Sequence, residues 1–124
     1  MEVDFSDGFG RPATRMPADA WVAATAPRME TFTATQHMIT DQVISFDGGD
    51  RATCVAYVRA RHHLPSALGD SDRTVYGCYT NRFVRTPGGW RISGLKPTPV
   101  WMTGDFGVFP SALAAEGAPS AGAA

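Results

Sequence analysis

The chain is expected to fold as one α+β domain: a strongly curved antiparallel sheet with a short helix packed against it. Three observations predict this. Four long runs with strand texture follow one another, Glu30 to Phe46, Arg51 to His63, Thr74 to Arg85 and Trp90 to Trp101. Two compact turn sequences, Asp47-Gly48-Gly49-Asp50 and Thr86-Pro87-Gly88-Gly89, join them in pairs as hairpins. Only one stretch, Pro17 to Ala26, has helical texture, and 124 residues suffice for a single core but not for two.

Taken in order, Val3 to Ser6 reads as the end of a short strand, followed by a loop rich in Gly and Pro. Pro17 stands where a first helical turn tolerates proline, and Asp19 where a helix N-terminus favours a carboxylate. Trp21, Val22 and Thr25 then share one side of a short amphipathic helix. Between the second and third long strands, Leu64 to Asp72 reads as a loop. The domain is expected to span residues 1–110. Residues 111–124, almost all Ala, Gly, Ser and Pro, bury too little apolar surface to offset ordering and are expected to form a disordered tail.

Successive strand residues point to opposite faces, so alternation decides which side chains can share a pocket. On the second long strand Cys54, Ala56, Val58, Ala60 and His62 share a face whose small and apolar residues mark it as interior. Val55, Tyr57, Arg59 and Arg61 share the other, suited to solvent or a subunit contact. His62 is therefore expected to face inward and His63 outward, unless a bulge intervenes. On the first long strand Thr33, Thr35, His37, Ile39, Asp41 and Val43 form one set, and Phe32, Ala34, Gln36, Met38, Thr40 and Gln42 the other. Neither is clearly the inner set, so pattern alone leaves His37 undecided. On the third, Gly77, Tyr79 and Asn81 oppose Cys78, Thr80 and Arg82. If Arg82 is outside, Cys78 points out while Cys54 points in, leaving two free thiols.

Composition narrows the function classes. A formal charge of −1 gives no electrostatic reason to expect a nucleic acid or an anionic membrane as partner. No apolar stretch is long enough to span a bilayer, and Met1 to Phe5 has neither a positive leader nor an apolar signal core, so a cytoplasmic location is the default expectation. Two cysteines do not make a disulfide framework. Histidines with Asp41 are chemically able to bind zinc, but side chains of adjacent strand residues diverge, which argues against His62 and His63 sharing an ion; no metal is expected.

The triplet Thr35-Gln36-His37, the run Gly94-Leu95-Lys96-Pro97, Trp101 and Asp105-Phe106 appear in an order and spacing that resemble scytalone dehydratase and its bacterial SnoaL-like relatives. These belong to the nuclear-transport-factor-2-like superfamily of cone-shaped domains. The resemblance runs from about Val3 to Phe109. It implies that His37 and His62 line the pocket as acid–base residues. It also implies a cofactor-independent elimination of water from a small cyclic β-hydroxy ketone. Imidazole suits both proton transfers because its unperturbed pKa of about 6.5 lies near working pH. Phe5 and Tyr79 fall on pocket positions of the family, Phe106 matches an aromatic of its C-terminal lid, and Phe109 lies close to a second. Val58 is expected on the pocket wall with them.

Two family features lack a counterpart here. The family carries N-terminal helices that cover the cone mouth. They supply an aspartate that orients the base histidine and a tyrosine that helps hold a water. This chain starts at the first strand; an upstream start, a natural truncation or a covering second protomer each account for that. Asp41 and Asp4 are the candidate replacement carboxylates, although Asp41 lies about 13 Å along an extended strand from His37. A position where the family has asparagine is Tyr79, able to supply a phenolic donor or simply to pack.

The expected function is thus a lyase or cyclase-like enzyme acting on a small cyclic or polyketide-type ketone. A non-catalytic small-molecule-binding cone and a structural subunit are the alternatives. The expected partners are a small molecule and further copies of the chain, as a dimer or trimer.

Overall fold

The structure is a computed structural model, and it describes residues 1–64 and 72–104. Phe106, Phe109, residues 111–124 and most of the expected loop from Leu64 to Asp72 lie outside the described residues.

One six-stranded sheet dominates. Its strands are β1 (Glu2–Phe5), β2 (Arg11–Arg15), β3 (Ala34–Asp47), β4 (Arg51–His63), β5 (Asp72–Thr86) and β6 (Gly89–Gly104). They lie side by side in the order β2-β1-β6-β5-β4-β3. Neighbours are antiparallel except β1 and β6, which run parallel. A helical turn α1 (Ser6–Phe9) follows β1, and α2 (Ala18–Glu30) lies between β2 and β3. The two turn sequences close the hairpins β3–β4 and β5–β6, each using a glycine at positive φ, Gly48 at 66° and Gly89 at 98°. Among the described residues no helix is long and apolar enough to cross a membrane.

Three bulges in the long strands curve this sheet. On β3, Asp41 and Gln42 together oppose Ala56, with Asp41 in the left-handed region at φ 51°. On β6, Ser93 and Val100 are each left without a cross-strand partner on β5. Bulges bend a strand and raise its local twist, so the long strands wrap into an unclosed cone. By contrast, β4 and β5 pair without interruption from Arg51↔Val84 to His63↔Asp72. That unbroken ladder keeps Ala52, Ala56, Val58, Ala60 and His62 on one buried face, as their alternation predicts. Three of those five are alanines, and their small side chains leave volume on the concave side.

Sequence and structure differ at several elements. The Gly- and Pro-rich stretch read as loop contains β2, which adds to β1 as an edge strand. The helix runs on to Glu30 rather than ending at Ala26, and the strand expected from Glu30 begins at Ala34. Pro27 suggests a helix end, but so close to the C-terminus it removes only one hydrogen bond of a last turn. There Thr31 supports Arg28, its Oγ1 donating to the Arg28 carbonyl at 2.7 Å. Val22 is not on the packing side: it is 59% exposed, and Trp21, Thr25, Arg28 and Met29 form the inner stripe instead. The β3 bulge also flips the phase of its strand. Thr35, His37 and Ile39 pair with inward residues, whereas beyond the bulge Ile44 and Phe46 do so and Val43 turns outward.

Gly77 is buried where β5 and β6 change register, and a Cβ there would drive into the carbonyl oxygen of Thr98 and the Cα of Pro99. Gly77→Ala is therefore expected to lower the unfolding free energy by about 1–3 kcal/mol, read as a lower urea midpoint. An unchanged midpoint would mean that β5 and β6 do not approach this closely.

Candidate active site

The concave face, closed on one side by α2, encloses a cavity of about 390 Å³. Val58, Ala60, Val75 and Tyr79 form its β4–β5 wall, Leu95, Pro97 and Pro99 its β6 wall, and Trp21 and Met29 face them from the helix. Phe5 completes one end, its ring centroid 5.6 Å from those of Phe9 and of Trp21. The Gly94-Leu95-Lys96-Pro97 run divides by alternation: Leu95 and Pro97 line the cavity and Lys96 points the other way.

Both candidate histidines border this cavity. His37 pairs with Ala60 across β3–β4, which puts it on the inward face, and Thr35↔His62 places the second ring beside it. The two Nε2 atoms are 3.3 Å apart and the ring centroids 5.1 Å apart. Neutral imidazole has one N–H and one lone pair, so at this contact one Nε2 donates and the other accepts. His62 is buried, 6% exposed, with Phe32 packed 4.8 Å from its ring. Loss of hydration is the main cause that pulls its pKa down to about 4. The neighbouring His37 adds to this, and the backbone at Arg73 and Ala60 partly opposes it. His37 belongs to an edge strand open to solvent, yet burial of its ring lowers its pKa as well.

The remaining candidates fall differently. Tyr79 lines the cavity, and burial raises its phenol pKa, so it stays a hydrogen-bond donor. Phe5 and Val58 line it too. Neither candidate carboxylate stands beside His37. Asp4 is on the opposite side of β1: its Oδ1 accepts from the Ser6 N–H and hydroxyl, and its Oδ2 lies 3.5 Å from Lys96 Nζ. Lys96 also lies 3.2 Å from Asp7, so this cluster fastens α1 to the sheet. Asp41 occupies the bulge, exposed, beyond the point where the β3 ladder is interrupted. His63 faces away from His62 and contacts Asp72 through Nδ1 at 2.7 Å, and Asp72 also accepts from Arg61. Cys54 pairs with Asn81 on the inner face and Cys78 with Tyr57 on the outer, and both are free thiols. Among the described residues no three His, Cys, Asp or Glu side chains gather as a metal-binding group.

Asn81, Thr25, Arg28 and Arg11 line the cavity without having been singled out. Asn81 was legible, sharing the face of Tyr79 two residues on; the helix stripe was obscured by assigning Val22 to it.

Comparison with known proteins agrees with this architecture. A protein of Kribbella flavida is 38% identical over 83% of this chain and 71% of its own, with a TM-score of 0.78. A family model for the SnoaL-like domain matches residues 1–96. The chain belongs to the SnoaL-like domain family. Two more distant structures from Novosphingobium aromaticivorans share the fold of this SnoaL-like domain. One, assigned as an aromatic ring hydroxylase, is 21% identical over 86% of this chain and 72% of its own, with a TM-score of 0.68. The other, assigned as a scytalone dehydratase, is 22% identical over 82% and 64%, with a TM-score of 0.66. No curated protein matches the sequence.

His62 binds a proton near pH 6.5 when unfolded but only near pH 4 when folded, so acid in that window favours the unfolded chain. Stability is expected to be full above about pH 6.5 and to fall by about 3 kcal/mol toward pH 4. Urea titrations across this range should show most of that slope disappear in His62→Asn. A slope unchanged by the substitution would place the lowered pKa elsewhere.

Proposed function

We propose that this SnoaL-like domain is a cofactor-independent lyase or isomerase acting on a small cyclic or polyketide-type ketone by histidine acid–base chemistry. The observation that carries this reading is the His37–His62 contact of 3.3 Å at the wall of one largely apolar cavity. Proton removal next to a carbonyl needs a lone pair and a donor within reach of one small molecule, and the pair offers both. His37 is the base. It is the more accessible ring, and His62 at a pKa of about 4 is the weaker proton acceptor near neutral pH. His37 takes the α-proton, the electron pair forms the new double bond as the carbon–oxygen bond breaks, and the departing hydroxyl, held by neutral His62, leaves as water with the proton that the His37 imidazolium returns. Tyr79 steadies the carbonyl oxygen as a donor. The scytalone dehydratase name of one structural relative accords with such an elimination.

A ligand-binding cone without turnover is the second reading, favoured by the placement of Asp4 and Asp41 away from His37. His37→Asn separates the two. Assayed with cyclic β-hydroxy ketones by the absorbance of the conjugated product, the variant should lose about 100- to 10,000-fold in kcat with affinity within a few fold. Turnover at the wild-type rate would end the catalytic assignment.

The protein is further proposed to act in the cytoplasm as a dimer or trimer joined through its outer sheet face. That face carries Tyr57, 61% exposed, and Trp101, 55% exposed and stacked on Tyr76 at 4.5 Å. Aromatic side chains left in water at this level suit an interface between copies. Sedimentation should give an oligomer for the wild type and a monomer for Tyr57→Glu. A well-folded wild-type monomer at high concentration would contradict this.

A further inference from the structure

Among its described lining residues the histidine cavity has one side-chain amide, that of Asn81 on β5. Its setting on the concave face is apolar. Cys54 and Leu95 flank it across the two ladders, and Tyr79 and Phe83 precede and follow it on the same face of the strand. Asparagine is disfavoured in strands, and β5 is paired on both sides, so its backbone gives the amide no role in the ladder. Among the described residues the amide makes no side-chain hydrogen bond, and it borders the cavity rather than lying sealed behind it. The histidines are at the other end. His37 pairs with Ala60 and Ala60 with Val75, six residues before Asn81 on β5. At about 3.3 Å per residue that is roughly 20 Å of strand contour. Curvature shortens the path across the cavity, yet a single six-membered ring seated at the histidines does not reach Asn81. A ligand that fills an apolar cavity displaces the water that would solvate such an amide, and an amide left unpaired then counts against binding. A site of this kind favours a ligand with a polar group at that point over the analogue that lacks it.

Resting on the function proposed above, we infer that Asn81 is a specificity-determining residue, which binds a hydroxyl group at the end of the ligand remote from the histidines. A hydroxyl suits the amide because Oδ1 accepts a proton from it or Nδ2 donates to its oxygen. The ring system lies along Val75, Val58 and Tyr79, with the reacting carbonyl toward the histidine pair. Asn81 stands away from the reacting atoms, so it selects what binds while the histidines move the proton. The substrate class narrows from cyclic ketones in general to elongated ones of two or more rings with a hydroxyl opposite the carbonyl.

The test uses two uncharged probes on the full chain, 4-acetylbiphenyl and 4-acetyl-4′-hydroxybiphenyl, with affinities measured by equilibrium dialysis. They share the ketone and differ by the hydroxyl on the far ring. The hydroxylated probe should bind about tenfold more tightly, the scale of one hydrogen bond to a group otherwise left unpaired. Asn81→Leu and Asn81→Ala should each erase this preference, chiefly by weakening the hydroxylated probe, with circular dichroism melting to show that the variant is folded. His37→Asn should keep the preference, because that ring lies at the other end. A preference that survives in a folded Asn81 variant overturns the role of Asn81, and one lost in His37→Asn shows that the hydroxyl is read at the histidines instead. Equal affinity of the wild type for both probes, or binding of neither, overturns the inference. Neither probe carries a β-hydroxyl to eliminate, so these outcomes are separate from the catalytic reading, which the turnover of cyclic β-hydroxy ketones decides.

Discussion

The site depends on one constraint, the unbroken alternation of β4 against β5. Because that ladder holds its register from the Arg51 hairpin to His63, every second side chain of β4 is committed to the concave face, with His62 at its end. The bulge in β3 lies beyond Ile39, so the portion bearing His37 pairs in phase with β4 and turns its ring to the same side. A one-residue slip before His37 would send that ring to the convex face and dissolve the pair. The bulges are placed where they bend the sheet without disturbing the strand phase that aligns the histidines.

What that alignment creates is an electrostatically poor place for protons. Two imidazoles 3.3 Å apart, one of them buried, do not both hold a charge, and burial outweighs the backbone groups that favour protonation of His62. The resemblance to scytalone dehydratase implies an aspartate that orients the base. Here Asp4 is held by Ser6 and Lys96 on the other side of the sheet, and Asp41 serves the bulge. The Nε2 atom of His37 meets that of His62 and the two rings stand edge to face at 5.1 Å, so each ring orients the other. The cavity wall owes part of its volume to Ala60, where a larger residue would fill the space beside His37 and Val75.

Much of this was legible in the sequence for identifiable reasons. The Ala-Val-Ala spacing on β4 marks its inner face, and so the direction of His62 as long as no bulge intervenes; β4 pairs with β5 without one. The two glycine turns mark both long hairpins. His37 was not decided by pattern because β3 is an edge strand whose two faces are both mixed, and only its pairing with Ala60 settles the matter. The bulge at Asp41 left no signal, since an aspartate at positive φ needs no accompanying glycine. β2 was hidden because Pro12 and the flanking glycines speak for a loop, although an edge strand tolerates proline. The inner stripe of α2 was misread because Val22 is apolar and Arg28 is not, while packing places the valine in water and the arginine on the cavity.

The most direct test of the account is a ¹⁵N titration of the imidazoles by NMR, in the wild type and in His37→Asn. The account predicts that both rings titrate below the ordinary histidine value, His62 near 4, and that the His62 pKa rises when His37 is replaced. Two rings titrating independently near 6.5, with His62 indifferent to the substitution, would show that the histidines do not share a dry pocket.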